Sequence, residues 1–252
     1  MNLLKTCSRV VLPAAIAAII SLTGCGSSTY SYVKVIHASA GAPNVDVEVG
    51  SDFAAQNLAF GNASSSYAKV HAGSSRSVQV FAAGKDSSAL LSASQTFTKN
   101  QYYTVVALNT PTALQAKIEN DDLTPPMSGD FKIRVVHGAV TAGNVDVYVT
   151  APGVVINDPK NPVTPTLSNF SFGTVTSYLA VPAGTYEIRV TPTGQPSTVV
   201  IDTGSKGLPI AAGGIFTAVA LDPNPSMAGS SFSLLLTQDM PVSGVTPMAP
   251  SM

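Results

Sequence analysis

Two histidine–aspartate pairs stand at matching places in the chain, His37 with Asp46 and His137 with Asp146, each around a six-residue loop. A His beside a carboxylate suits acid/base work or metal ligation, because the imidazole changes charge near neutral pH. The set is short of partners for either task. One His and one Asp per pair give two ligands where zinc takes three or four. No Ser follows a Gly-x-Ser-x-Gly nucleophile elbow. The other reading is structural: His, at the end of an inward-facing strand, bonds a loop carbonyl, and Asp bonds backbone amides at the loop mouth. His71 lacks a counterpart, since Pro182 stands at its place, and reads as a turn residue. Glu119, Asp121, Asp122 and Asp130 form the densest acidic patch, without the spaced Asp/Asn/Gly loop of a calcium site. No cofactor is expected.

These pairs belong to a duplication. Tyr32 to Ser39 reappears as Phe131 to Ala139, and Asn44 to Val49 as Asn144 to Val149. Further on, Phe60-Gly61 matches Phe172-Gly173, Tyr67 to Gly73 matches Tyr178 to Gly184, and Tyr103 to Leu108 matches Phe216 to Leu221. The register jumps across residues 151–166, which carry Pro152, Pro159, Pro162 and Pro165 and read as a surface loop. Each copy is a series of short β-patterned runs separated by Gly, Pro, Asn and Ser. Strands are predicted near 31–38, 44–50, 57–60, 66–71, 76–82, 89–97, 102–109 and 113–119, and near 131–138, 144–150, 167–171, 175–181, 184–191, 197–203, 214–221 and 231–237. Seven or eight such strands per copy without helical periodicity make an all-β protein of two tandem Ig-like, Greek-key β-sandwiches. Alternation turns Val33, Val35 and His37 inward with Ile133, Val135 and His137, and turns Lys34 and Arg134 the other way. Tyr67 and Tyr178 are expected in the core or at its edge.

The N-terminus reads as an address. Lys5 and Arg9 precede an apolar run from Val10 to Ile20, and small residues lead to Cys25. That run is too short to span a bilayer, which takes about 20 apolar residues. Leu22-Thr23-Gly24-Cys25 resembles the bacterial lipobox. The resemblance implies cleavage before Cys25 and lipidation of its thiol, with several acyl chains holding the protein stably at a membrane. Cys7 would leave with the signal, so the folded part would hold no thiol. Gly26, rather than Asp, follows Cys25 and favours the outer membrane if the host is Gram-negative. The expected division is 1–24 signal peptide, 25–30 lipidated cysteine and tether, 31–123 first sandwich, 124–130 linker, 131–239 second sandwich and 240–252 disordered tail.

Composition limits the partners. Only 11% of the 252 residues are charged and the formal charge is −1, so no basic surface exists for nucleic acid. Trp is absent and aromatics are 7%, which weakens sugar binding on exposed aromatic platforms.

The run from His37 to Val49, its weaker second copy from His137 to Val149, and the Gly and Tyr spacing after each resemble the bacterial family catalogued as domain of unknown function 4397. Ala40 and Glu48 depart from that family's pattern, as does Gly138-Ala139. The resemblance implies an extracytoplasmic, often lipid-anchored, β-rich protein and carries no activity over. A non-catalytic structural or binding module of the cell envelope, with the membrane as one partner and a protein or polysaccharide as another, is therefore expected. The alternative is a small-ligand receptor or hydrolase using the His/Asp pair of one or both copies.

Overall fold

The computed structural model describes residues 29–85, 88–241 and 243; the expected signal peptide, Cys25, most of its tether and most of the C-terminal tail lie outside the described residues. The first copy holds β1 (Tyr30–Ala38), β2 (Val45–Val49), β3 (Asp52–Leu58), β4 (Ala68–His71), β5 (Gly73–Ala82), β6 (Leu91–Phe97), β7 (Tyr102–Leu108) and β8 (Gln115–Asn120). The second holds β9 (Asp130–His137), β10 (Val145–Thr150), β11 (Leu167–Phe170), β12 (Leu179–Pro182), β13 (Gly184–Pro192), β14 (Ile201–Asp202), β15 (Leu208–Ile210), β16 (Ile215–Leu221) and β17 (Ser233–Gln238).

Each copy is a sandwich of two sheets. The first pairs β4-β1-β7-β8 with β3-β2-β5-β6, and the second pairs β12-β9-β16-β17 with β11-β10-β13-β14, with β15 also on β13. β1 runs parallel to β7, as β9 does to β16, and the other pairings are antiparallel. Alternating Val residues make the first core: Val33 and Val35 meet Val45, Val47, Val49, Val78 and Val80, all buried. β-Branched side chains suit this site because they pack densely on a pleated surface.

β1 is buried on both faces from Ser31 to Ala38. Its second face, with those of β7, β9 and β16, packs the two copies back to back. Ile36, Ala38, Val106 and Leu108 meet Val136, Val219 and Leu221 there. Space is tight at Gly138, where a Cβ would stand 2.8 Å from the Ala220 carbonyl oxygen of its own copy and 3.3 Å from Ala38 Cβ of the other. Hence glycine stands where the first copy has Ala38. The segment 124–130, expected as a linker, follows a strapped corner: Leu123 is buried, and Lys132 Nζ donates to Asp122 Oδ2 at 2.6 Å and to the carbonyl of Thr124 at 3.1 Å.

Candidate functional site

The two His/Asp pairs are spent on holding loops. His37 is fully buried at the end of β1; the Ser39 amide donates to its Nδ1 at 3.3 Å, so Nε2 bears the proton and donates to the Pro43 carbonyl at 3.0 Å. His137 repeats this with Nε2 on the Gly143 carbonyl at 2.8 Å, while its buried Nδ1 has no partner. Burial depresses both imidazoles below the ordinary histidine range, with the carbonyl bonds opposing it, because a charged ring would lose its hydration. Asp46 accepts from the Asn57 amide at 2.6 Å and the Gly84 amide at 2.9 Å. Asp146 accepts from the Asn169 and Gly194 amides, both at 2.8 Å. Asn57 and Asn169 both have φ of 50°, and their side chains accept from Asn44 and Asn144. The left-handed Asn, which such a backbone favours, aims its N–H at the carboxylate. No hydrogen bond or ion pair joins either His to its Asp. The structure instead brings His71 to Asp52, Nδ1 to Oδ2 at 2.9 Å, on an exposed edge. Among the described residues no cluster of His, Cys, Asp and Glu could hold a metal ion.

The residues expected to face outward meet at the junction between copies. Lys34 reaches from the first copy to Asp239 Oδ1 at 3.0 Å, and also donates to Thr237 Oγ1 and the Gln238 carbonyl. Arg134 reaches from the second copy to Asp121 Oδ1 at 2.7 Å and to Thr104 and Thr217. The exchange is reciprocal. Tyr67 donates to Asp121 at 2.6 Å and Tyr178 to Asp239 at 2.9 Å, and Thr104 and Thr217 donate to the same two carboxylates. Burial raises the Asp121 carboxyl above its ordinary range although Arg134 opposes this, and burial with the neighbouring carboxylates lifts Tyr67 well above a normal phenol. Of the acidic patch only Asp121 is closed to solvent, where it serves with Asp239 as a structural anion of the junction.

An apolar concavity lies inside the second sandwich. A cavity of about 280 Å³ opens between its sheets, lined by apolar side chains with only Thr166, Tyr186 and His137 as polar neighbours. Its cause is legible in the strands. Val49 is covered because β3 follows β2 after Gly50 and Ser51 and pairs Asp52 with it. In the second copy residues 151–166 intervene, β11 pairs only with Val145 and Val147, and Val149 is left 36% exposed. On the other edge, β6 is replaced by β14 and β15, and Ile210 stands opposite Gly184 where Phe97 stands opposite Gly73. A smaller side chain on a broken strand leaves the space unfilled.

A family model described as a domain of unknown function, DUF4397, matches residues 31–148 and 153–247. The chain belongs to this family. No curated protein matches it. Among solved structures, a chain described under "Alpha-glucan recognition by family 41 carbohydrate-binding modules from streptococcal virulence factors" is similar at 13% identity and a TM-score of 0.21, covering 68% of this chain and 85% of that one. Within this tandem DUF4397 protein the two copies share their clamps and differ in the interior. Sequence reasoning missed the junction, although the apolar runs of β1 and β7 on both faces were its signal. It missed the cavity for want of any residue-level signal.

Proposed function

We propose that this protein is a lipid-anchored component of the bacterial cell envelope, outside the cytoplasm, that works as a non-catalytic binding module. The observation that carries this is the use of His37, Asp46, His137 and Asp146 as loop clamps, which leaves them no free position for proton transfer or metal ligation. The lipobox-like run ending at Cys25 supports the anchor, and an outer-membrane place follows if the host is Gram-negative. In this reading the second copy, with its cavity, is the binding copy and the first supports it across the junction. A protein or polysaccharide partner fits the exposed edges of such a module equally.

Two experiments test the reading. In the host, Cys25→Ser should release the protein from membranes and abolish fatty-acid labelling; retention of both would refute the anchor. Photo-crosslinking of the anchored protein should capture an envelope component unaltered. Turnover of any envelope component, abolished by His37→Gln or His137→Gln in a folded protein, would refute the non-catalytic role.

A further inference from the structure

We propose that the cavity of the second sandwich binds one hydrocarbon chain of an amphiphile, with the polar head left at the mouth. This rests on the binding-module reading above and names the ligand class. Three observations carry it. The walls are apolar from both sheets, with Val147 and Ile188 facing Val135 and Ala218 and the rings of Phe131 and Phe170 among them, so the interior offers hydrocarbon and no charged side chain. At about 280 Å³ the space is nearly twice the roughly 150 Å³ of an apolar protein cavity that stays dry and takes up benzene. Its lining also runs along β9 from Phe131 to His137, up to about 20 Å at 3.3 Å per residue, between sheets about 10 Å apart. An apolar space that long between two sheets admits an extended hydrocarbon chain.

The mouth is marked by Val149 and by Leu179, which is 43% exposed. In the first copy, by contrast, the matching Val49 and the other core valines are fully covered. Position points to a lipid source. Tyr32 and Ile215, the latter beside Lys132 in register, share one apolar cluster, so β1 and β9 start at the same end of the molecule. Phe131, Val181 and Tyr186 line the cavity at that end, the end from which the residues before Thr29 leave. A Cys25 anchor would therefore set the mouth toward the membrane.

The test uses the chain from Gly26 to Met252, which retains every described residue. Titration with cis-parinaric acid, a fluorescent polyene fatty acid, should saturate at one per protein, and dodecanoate and dodecanol should displace it. Ala218→Phe, which projects a ring from β16 into the slot, should weaken binding about tenfold or more while the melting temperature holds or rises, since it fills a void. Leu179→Glu should weaken dodecanoate and spare dodecanol, and Leu179→Lys should do the reverse, because the head sits beside the substituted side chain. Incubation with phosphatidylglycerol vesicles separates the sources: protein-bound phosphorus marks a lipid chain, its absence a free fatty acid. No saturable binding, or binding unchanged in Ala218→Phe, would overturn the proposal. Photo-crosslinking to an envelope protein or polysaccharide would then still stand as separate evidence for the binding module.

Discussion

Arg134→Met probes the junction between the copies. The guanidinium is 3% exposed and its partner Asp121 is fully buried at 2.7 Å. Removing the cation leaves a buried carboxylate held only by the hydroxyls of Tyr67 and Thr104. Breaking one side of such a pair costs about 3–5 kcal/mol, because the remaining charge keeps its desolvation penalty without the attraction that offset it. For a chain of this length each kcal/mol lowers the melting temperature by about 2–4 °C, so the loss should be roughly 6–20 °C. Asp121→Asn in the same molecule should restore much of it, since the amide removes the stranded charge and still accepts from Tyr67 and Thr104. The sign with pH follows from burial, which holds the Asp121 carboxyl above its unfolded value. A raised carboxyl binds its proton more tightly in the folded state, so it favours folding below the unfolded value and loses that contribution as pH rises through the folded one. The deficit of Arg134→Met, measured against the parent at each pH, should therefore shrink on acidification. Differential scanning calorimetry of parent, single and double variants supplies the cycle. A single-variant cost under about 1 kcal/mol, or a double variant equal to the sum of the singles, would refute the account of a buried pair.

Calorimetry of the parent should show one transition for both copies, because the junction buries Ile36, Val106 and Val219 across it; two separated transitions would contradict that. The depressed imidazoles of His37 and His137 predict stability that is present above about 6.5 and lost as pH falls through their folded values, since the unfolded rings take up protons first. His37→Gln should flatten that slope, and an unchanged slope would show that the ring titrates freely. Asp146→Ala should cost about 1–3 kcal/mol by leaving the Asn169 and Gly194 amides without their acceptor, and more than Asp46→Ala, whose site is more open to water. Equal effects in urea unfolding would speak against the burial argument. Asn57→Val should destabilise by about 1–2 kcal/mol, because a β-branched residue resists φ of 50°.

Much of the fold is legible in the alternation of the chain. Val33, Val35, Val45, Val47 and Val49 announce which faces turn inward, and the duplicated segments locate the corresponding strands of the second copy. β15 escapes notice because Leu208-Pro209-Ile210 is short and centred on a proline, which normally marks a turn. Lys34 and Arg134 mislead for a physical reason: a lone charge on a strand is usually solvated, and in each case it is the opposite copy that supplies the carboxylate, Asp239 for Lys34 and Asp121 for Arg134, that allows burial. The signal that would have found the junction is the apolar residue flanking each polar one on the same face, Ile36 beside Lys34 and Val106 beside Thr104. The clamps formed by Asp46 and Asp146 are legible only in kind: a carboxylate on backbone amides is expected there, but the donors, Asn57 and Gly84 or Asn169 and Gly194, come from neighbouring strands and turns far along the chain. The cavity does not follow, because a void is set by the residual between packed volumes and no single side chain encodes it.

The proposed non-catalytic role rests on the state of the two imidazoles. Nitrogen-15 chemical shifts of His37 and His137 across a pH series, with and without zinc, report tautomer, charge and ligation at once. Both rings should still be neutral, with the proton on Nε2, at pH 6.5, where an ordinary histidine is half charged, and neither should respond to zinc. A ring that titrates at an ordinary histidine value, or one that shifts on adding the metal, would contradict the structural role assigned to both.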